Sequence, residues 1–567
     1  MVKVSKKIEM IKKIKKFIND NNLDGYIVPK NDNFFTEYSK TNNLVKISNF
    51  SGSAGFAIIL KNFNYLFVDG RYTLQAKKQS GKNFNILEIP FKWPKDLSLI
   101  RDKKIGFDPK LFTEAILSKY FDNTVILIPK EYNFIKKKTK KIEKFFYLKN
   151  SVSGEESILK INKVKKYLYD NNIDYLYISA GENVNWLLNI RGKDLPNSPL
   201  ANCKAILTSK GKIYFFSNFK KITKIKRTKL KNIVFFNDNK FFEIVYSLKK
   251  KNFCIDQNTC SVFEEQIIKS KFNIILKSDP IYLAKSMKNK VEIKNTLKAH
   301  IEDGVAVTKF LHWFKTNKKE ITEKKIEKKI EKFRKRSNNY LYPSFDTIAG
   351  SGHNAAIIHY KSNKKTNRKL KKNDILLLDS GGQYKWGTTD VTRTTCAGRV
   401  SHELKNNFTR VLKGHIAVVT CNLNKNYNGY LIDKLARKFL KNVGLDYSHG
   451  TGHGVGFFLN VHEGPQAISK YNKVILKKGM ILSNEPGYYL NNKYGIRIEN
   501  LIYIENFKNN LVFKNLTYVP IDLDMVNFNM LTINEKKYLF NYHLNVYAAI
   551  HKYLNETERK WLINLIK

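Results

Sequence analysis

The sequence predicts an α/β and α+β multidomain protein, with two related N-terminal α/β domains ahead of a larger C-terminal domain that carries the chemistry. Three observations predict it. The chain has 567 residues, too many for a single ordinary core. Its first half uses one phrase twice, a basic helix, Asn-Asn, Leu/Ile-Asp and a tyrosine-bearing strand: KKFINDNNLDGYIVP from Lys15 and KKYLYDNNIDYLYIS from Lys165. Such a period marks an internal duplication. From Lys288 onward the texture changes to Gly-punctuated strands dense in carboxylates and histidines. The expected domains are 1–151, 152–287 and 288–567.

Composition narrows the class. Hydrophobic residues at 42% and aromatics at 13% suit buried cores rather than disorder. The formal net charge of +53 raises a polyanionic partner. The basic residues are spread over every segment, however, and only thirteen of the 102 are arginine, on which bidentate phosphate and base recognition leans. The lysine excess, with abundant Asn, Ile, Tyr and Phe, reads as compositional bias, so no specific nucleic-acid partner is expected. No apolar run approaches a membrane span, so no membrane is expected either. Cys203, Cys254, Cys260, Cys396 and Cys421 form no CxxC pair and read as free thiols of a reducing compartment.

Taken in order, Ile8, Ile11, Ile14 and Ile18 define the first helix, without the continuous apolar core of a secretory signal. The expected location is the cytoplasm. DGYIVP then reads as a strand, ISNFSGSAGFAIIL as a Gly/Ser turn entering a strand, and YLFVDGRYTLQA as strand, turn and helix. The lysine-rich stretch from Tyr132 to Lys144 reads as a solvated helix. In the second domain CKAILTSKGKIYFF is a strand pair around a Lys-Gly turn. In the third, VEIKNTLKAHIEDGVAVTKFLHWF is a long helix and TEKKIEKKIEKFRKR a charged one. Two more helices, with Trp561 wedged against the domain or a partner subunit, close the chain.

The chemistry gathers in the last third. Asp379 ends the apolar run ILLLD, and Asp390 follows eleven residues later beyond the turn residues SGGQYKWG. A strand pair there would aim both carboxylates at one spot. Glu485 lies in ILSNEPGYY, where Pro and Gly force the chain out of its strand. Glu499 lies in GIRIEN, on a following strand. His453 sits in HGTGHGVG, whose small residues let backbone approach closely. Buried carboxylates are costly unless neutralised, and four near one imidazole suit a pair of divalent cations of the Mn, Co or Zn type rather than Ca. His359, His449 and His462 lie in or beside Gly-rich turns of the same domain, and at least two of them are expected to face the substrate. The other seven histidines read as structural.

Five motifs in order, SFDTIAGSGHNAAIIHY, LLDSGGQYKWGTTDVTRT, FTRVLKGHIA, HGTGHGVGFFLNVHEGPQ and NEPGYY…YGIRIEN, resemble the Xaa-Pro aminopeptidases, metallopeptidases of family M24 with a pita-bread catalytic fold. SGSAG and DGRYTLQA are similar to that family's first domain, WLLNIRG to its second, and YVPIDLDM with FNYHLNV to its C-terminal tail. The resemblance spans nearly the whole chain and implies the three-domain form, with creatinase/prolidase-like N-terminal domains. One departure is GENVNW, where Asn183 replaces an acid.

The resemblance implies the roles. Asp379 would be a terminal ligand of one metal, Asp390 and Glu499 would bridge two, and His453 with Glu485 would complete the other. A hydroxide bridging the cations would be the nucleophile. Glu485 would also shuttle its proton to the leaving imino nitrogen. His359 and His462 would act as electrostatic donors to substrate and intermediate, joined by His453. Arg71, His449 and Arg497 would contact substrate. The implied reaction releases the first residue from peptides with proline second, with two divalent ions, manganese by family habit and cobalt or zinc as alternatives. A homodimer through the catalytic domain is implied as well. The rival readings are a prolidase restricted to dipeptides, a metal-free binding module, and an RNA binder acting through the basic surface.

Overall fold

The structure, a computed structural model, describes residues 2–37, 39, 42–133, 145–218, 232–249, 251–317, 319–371 and 373–566. Most of the solvated helix expected between Tyr132 and Lys144 lies outside the described residues. The chain forms two compact units, 1–150 with 155–282, and 151–154 with 283–567.

The first unit contains two six-stranded sheets. One has β1 (Gly25–Pro29), β2 (Phe56–Leu60), β3 (Asn64–Asp69), β4 (Asn85–Ile89), β5 (Lys104–Phe107) and β6 (Ile126–Pro129) in the order β4-β3-β2-β1-β5-β6. The other has β7 (Tyr175–Ile178), β8 (Lys204–Thr208), β9 (Ile213–Phe216), β10 (Ile233–Phe236), β11 (Asn252–Ile255) and β12 (Asn273–Leu276) in the order β10-β9-β8-β7-β11-β12. The two orders superimpose strand for strand. So do the senses: β1–β2 and β7–β8 are antiparallel, whereas β3–β4 and β9–β10, like β1–β5 and β7–β11, are parallel.

The repeated phrase has a physical reason in each copy. Helix α1 (Val2–Asp20) and helix α2 (Ser157–Asp170) both stop at Asn-Asn, whose second member is left-handed, Asn22 at φ 52° and Asn172 at φ 53°. Asparagine tolerates that conformation, and it lets a later N–H reach back to an orphan helical carbonyl. Leu23 N bonds Ile18 O and Ile173 N bonds Leu168 O, each at 2.9 Å. The following aspartates tie strands together: Asp24 accepts from Lys104 N at 3.0 Å and Asp174 from Asn252 N at 3.0 Å. Strands β1 and β7 are buried along their whole length, as expected of central strands covered on both faces. The Lys-Gly turn between β8 and β9 is present, with Gly211 at φ +89°.

The second unit is built as two helix-backed halves. In the first, β13 (Ile348–Ser351), β14 (Ile375–Ser380) and β15 (Val391–Cys396) form an antiparallel sheet. Helix α3 (Lys290–Thr316) starts at a capping box of Asn289 and Glu292, and α4 (Glu323–Arg334) follows it. Their Phe310, Ile326 and Ile330 pack on Ala349, Leu376 and Val391. In the second half a five-stranded sheet combines β16 (Gly452–Gly454), β17 (Glu463–Ile468), β18 (Ile481–Asn484), β21 (Asn500–Phe507) and β22 (Asn510–Asn515) in the order β17-β16-β18-β21-β22. Between β18 and β21 the hairpin β19 (Gly487–Leu490) and β20 (Tyr494–Arg497) is inserted. Helices α5 (His402–Val419) and α6 (Gly429–Lys441) cover this sheet. They cross so closely that a Cβ on Gly414 would lie 2.3 Å from the Ala436 carbonyl. The C-terminal helices, α7 (Ile533–Ile550) and α8 (Glu556–Ile563), follow, with the Trp561 ring 5.7 Å from His312 of α3.

All five cysteines are free, and all but Cys421 are buried. Among the described residues no helix is long and apolar enough to cross a membrane.

Candidate metal centre

Asp379 is the penultimate residue of β14 and pairs with Thr392 of β15, while Asp390 directly precedes β15. The expected strand pair thus holds both carboxylates on rigid backbone. The loop between them makes its own short strands, Gly382–Tyr384 and Gly387–Thr388, which join Tyr340–Pro343. Glu485 and Glu499 occupy matching places. Each sits in a two-residue break where the chain leaves one sheet for the other, Glu485 between β18 and β19, Glu499 between β20 and β21. The flanking pairs Asn484–Asn500 and Gly487–Arg497 set the two breaks opposite each other. Glu499 is therefore at a corner rather than on the strand expected for it. Thr392 fastens that corner: its carbonyl accepts from Glu499 N at 3.1 Å and its hydroxyl donates to Glu499 Oε2 at 2.8 Å.

His453 stands on β16 with Nδ1 2.9 Å from the Gly454 carbonyl. That bond requires the proton on Nδ1 and turns the Nε2 lone pair outward. Nε2 lies 3.6 Å from Asp390 Oδ2 and 3.4 Å from Glu485 Oε1. Donor atoms of Asp390, His453 and Glu499 fall within 4.8 Å of one another. Asp379 Oδ1 and Asp390 Oδ1 are buried and have no hydrogen-bond partner. A lone pair and several carboxylate oxygens converging without protons between them repel one another, and bound cations relieve this. Burial, then the neighbouring Asp379 and Glu485, push the Asp390 carboxyl well above its usual range, and burial with the flanking acids does the same to Glu499. Burial also raises Glu485, against the pull of His453 and Arg497. The donor set fits divalent cations: hard oxygen ligands, one imidazole, and buried oxygens with vacant lone pairs.

Arg497 brings a guanidinium into this pocket of four carboxylates. It is 1% exposed and donates to Asp379 Oδ2 at 2.6 Å, Tyr489 Oη at 2.7 Å and Thr392 Oγ1 at 3.2 Å. These contacts orient Asp379, so Arg497 braces the pocket. The same holds for His449. Its Nδ1 donates to the Gly450 carbonyl at 2.8 Å and its Nε2 accepts from Tyr489 Oη at 2.9 Å, so both ring nitrogens are engaged with protein. A directed chain of hydrogen bonds runs from Arg497 through the Tyr489 hydroxyl to His449. Burial pushes Tyr489 up to about 12 and keeps it protonated for that link.

The structure brings His462 to the centre, its ring 4.3 Å from that of His453 with planes at 84°. His359 follows the 3-10 turn Gly352–Ala356, one residue after Ile358, whose carbonyl lies 3.5 Å from Arg497 Nη2. Arg71 belongs to the first unit, where Nε and Nη2 fork onto Asp69 at 2.9 and 2.8 Å. Asn183 is fully buried and donates to Asp279 Oδ2 at 2.7 Å; an acid at that position would face a second carboxylate. Of the other histidines, His300, His415 and His543 are buried and bonded to backbone carbonyls. Sequence reasoning missed Tyr489 and Thr392. Neither type marks a metal site, and their roles arise from strand register across the sheet junction.

Comparison with known proteins agrees with this geometry. Xaa-Pro aminopeptidase 1 of Dictyostelium discoideum is 33% identical over 616 residues, covering 100% of this chain and 97% of that protein. This chain belongs to metallopeptidase family M24. Residues 294–506 match the family's peptidase domain and 509–567 its C-terminal region, while 10–130 and 136–292 each match the creatinase/prolidase N-terminal domain. The expected fold class therefore holds, including the duplicated N-terminal domain. Aminopeptidase P2 of Arabidopsis thaliana is 33% identical, covering 96% of this chain and 85% of that protein. Among solved structures, X-prolyl aminopeptidase from Caenorhabditis elegans, described as a cytosolic enzyme with a di-nuclear active site, has a TM-score of 0.91 at 28% identity and covers 99% of both chains. Prolidase from Pyrococcus furiosus has a TM-score of 0.51 at 26% identity, covering 62% of this chain and 98% of its own.

Proposed function

We propose that this M24 metallopeptidase is an Xaa-Pro aminopeptidase that hydrolyses the first peptide bond of peptides with proline at position 2. The observation that carries the reading is coverage. The Caenorhabditis elegans X-prolyl aminopeptidase spans 99% of this chain, whereas the Pyrococcus furiosus prolidase spans 62%. The additional sheet-bearing region thus goes with the aminopeptidase. The di-nuclear site described for the Caenorhabditis elegans enzyme supports two cations here.

Asp379, Asp390, His453, Glu485 and Glu499 would hold them, with manganese first and cobalt or zinc as alternatives. When bound, such a pair lowers the pKa of water and polarises the scissile carbonyl. The chain's own residues supply the rest. Arg497 fixes the Asp379 carboxylate, and the Nδ1 bond of His453 keeps its Nε2 free to act as a ligand. Glu485, at a corner beside Pro486, takes a proton and returns it to the imino nitrogen of the departing proline. His359 and His462 donate to the developing oxyanion, and Arg71 is a further proposed peptide contact. His449 acts through Tyr489 in this scheme. The domain partition 1–151, 152–287 and 288–567, a homodimer through the catalytic domain, and a cytoplasmic location are parts of the same proposal; the last is supported by the cytosolic description of the Caenorhabditis elegans enzyme.

The test is release of the first residue from Xaa-Pro-Yaa tripeptides, with chelator and with added manganese. Activity that disappears with chelator and returns with manganese is expected. Cleavage of Xaa-Pro dipeptides alone would replace the reading with a prolidase, and a protein that takes up no metal would replace it with a binding module.

A further inference from the structure

Glu463 follows His462 directly, opens β17 and pairs with Gly454, whose carbonyl accepts the His453 Nδ1 proton. Its side chain is buried against two lysines. Lys285 Nζ lies 3.2 Å from Glu463 Oε2, and Lys288 Nζ donates to Glu463 Oε1. The three side chains are 1%, 0% and 2% exposed, for Lys285, Lys288 and Glu463. Both lysines lie just after Leu283, where the long segment of the second unit begins. That segment is itself pinned: Lys288 N donates to Gly479 O at 3.0 Å, and Met287 bridges Met480.

Two ammonium groups and one carboxylate in a dry interior are an inefficient way to gain stability, because apolar side chains of similar volume do as well. Their value lies in geometry, since each charge is held in one place by the others. The residue so placed is the immediate neighbour of His462, whose ring packs against His453.

We propose that Lys285, Lys288 and Glu463 form a positioning triad that sets the His462 imidazole against substrate. Resting on the aminopeptidase reading, the triad makes the segment leaving the first unit a determinant of how well the second unit holds its peptide. None of the three residues touches a reacting atom.

The test uses the full chain loaded with manganese, the variants Glu463→Gln, Lys285→Met, His462→Ala and Glu463→Gln/His462→Ala, and the exchange Lys288→Glu/Glu463→Lys made together with Lys285→Met, so that no like charges meet. Glu463→Gln is expected to raise KM for an Xaa-Pro-Yaa peptide about tenfold, with unchanged manganese per chain. That factor is expected to vanish in the His462→Ala background, as for groups acting through one another, and the exchange is expected to recover most of it. Lys285→Met leaves one ion pair in place and should show a smaller KM effect if Glu463→Gln does not fold. A second readout needs no turnover: in metal-free protein with 13C-labelled histidine, the His462 resonance should move in Glu463→Gln and return in the exchange. A Glu463→Gln penalty that persists without His462, loss of manganese, or an unmoved His462 resonance would overturn the triad. An unmodified protein inactive on Xaa-Pro-Yaa peptides would overturn the aminopeptidase reading instead, leaving the resonance to decide the triad.

Discussion

Behind Asp379, Arg334 of α4 reaches Asp303 of α3; behind His453, Arg437 and Asp433 sit one turn apart on α6. The first pair joins two helices at 2.7 Å, with side chains 2% and 4% exposed. Arg334 Nη2 donates to the Ser380 carbonyl beside Asp379, and Tyr384 Oη donates to Asp303. The second pair, also at 2.7 Å, is local, and its arginine bonds the Tyr447 and His449 carbonyls as well as the half-exposed Asp446. Asp433 accepts from Thr451 Oγ1. One half of the site is thus held by a dry long-range ion pair, the other by an i,i+4 pair with a solvated neighbour. The difference teaches where rigidity is concentrated: Asp379 on β14 and Asp390 just before β15 are fixed by the fold, and His453 on β16 with Glu485 at its corner by a local lattice.

The largest effect should come from the ligands themselves. Asp390→Asn is expected to reduce activity by more than the ~10–100-fold typical of a supporting residue, and to lower manganese uptake further than Glu485→Gln does. Metal analysis of purified variants checks this, and equal stoichiometry in the two would break the assignment of Asp390 as a bridge. Next come the braces. Arg334→Met removes the counter-charge that ties α3 to α4, leaves Asp303 with the Tyr384 hydroxyl, and should cost about 3–5 kcal/mol of stability, whereas Arg437→Met removes an i,i+4 partner, leaves Asp433 with the Thr451 hydroxyl, and should cost about 1–3 kcal/mol. Urea midpoints compared at constant m-value measure both; the reverse order would contradict the contrast between the halves. Smaller still is Tyr489→Phe, which removes the hydroxyl joining Arg497 to His449. About tenfold in kcat/KM is expected, with little change in thermal midpoint.

Particular residues show how much of this was legible in sequence. The Asn-Asn stops and their following aspartates gave away the duplicated fold, because a left-handed cap and a strand tie are local chemistry that a second copy must repeat. Asp379, Asp390, His453, Glu485 and Glu499 were legible because acids beside apolar strands or Gly/Pro corners are costly without a partner. Arg497 and His449 were noticed as substrate contacts, but not as braces. Their bonds to Asp379 and Tyr489 depend on the register between β19 and β20, which composition does not encode. Lys285 and Lys288 were invisible for a different reason: in a chain with 102 basic residues, two buried lysines look like all the exposed ones.

The smallest effect near neutrality concerns pH, and it separates the halves again. His415 of α5 lies behind the Glu485 corner, with Nδ1 3.1 Å from the Asn484 carbonyl while Asn484 Nδ2 donates to the His415 carbonyl. Burial, aided by the Arg393 charge, lowers His415 to about 3, and burial lowers His543 to about 4. Both are neutral in the folded chain and titrate at their ordinary value of 6.5 when it unfolds. Below pH 6.5 the unfolded state therefore binds protons that the folded state refuses. The stability these groups contribute is complete above that pH and is lost as pH falls towards 4 and 3. The slope approaches ~1.4 kcal/mol per pH unit for each group, and amounts to under ~1 kcal/mol each at pH 6. His415→Gln in metal-free protein should flatten the fall in urea midpoint between pH 6.5 and 4. A slope unchanged by that substitution would mean that burial does not hold His415 neutral behind the Glu485 corner.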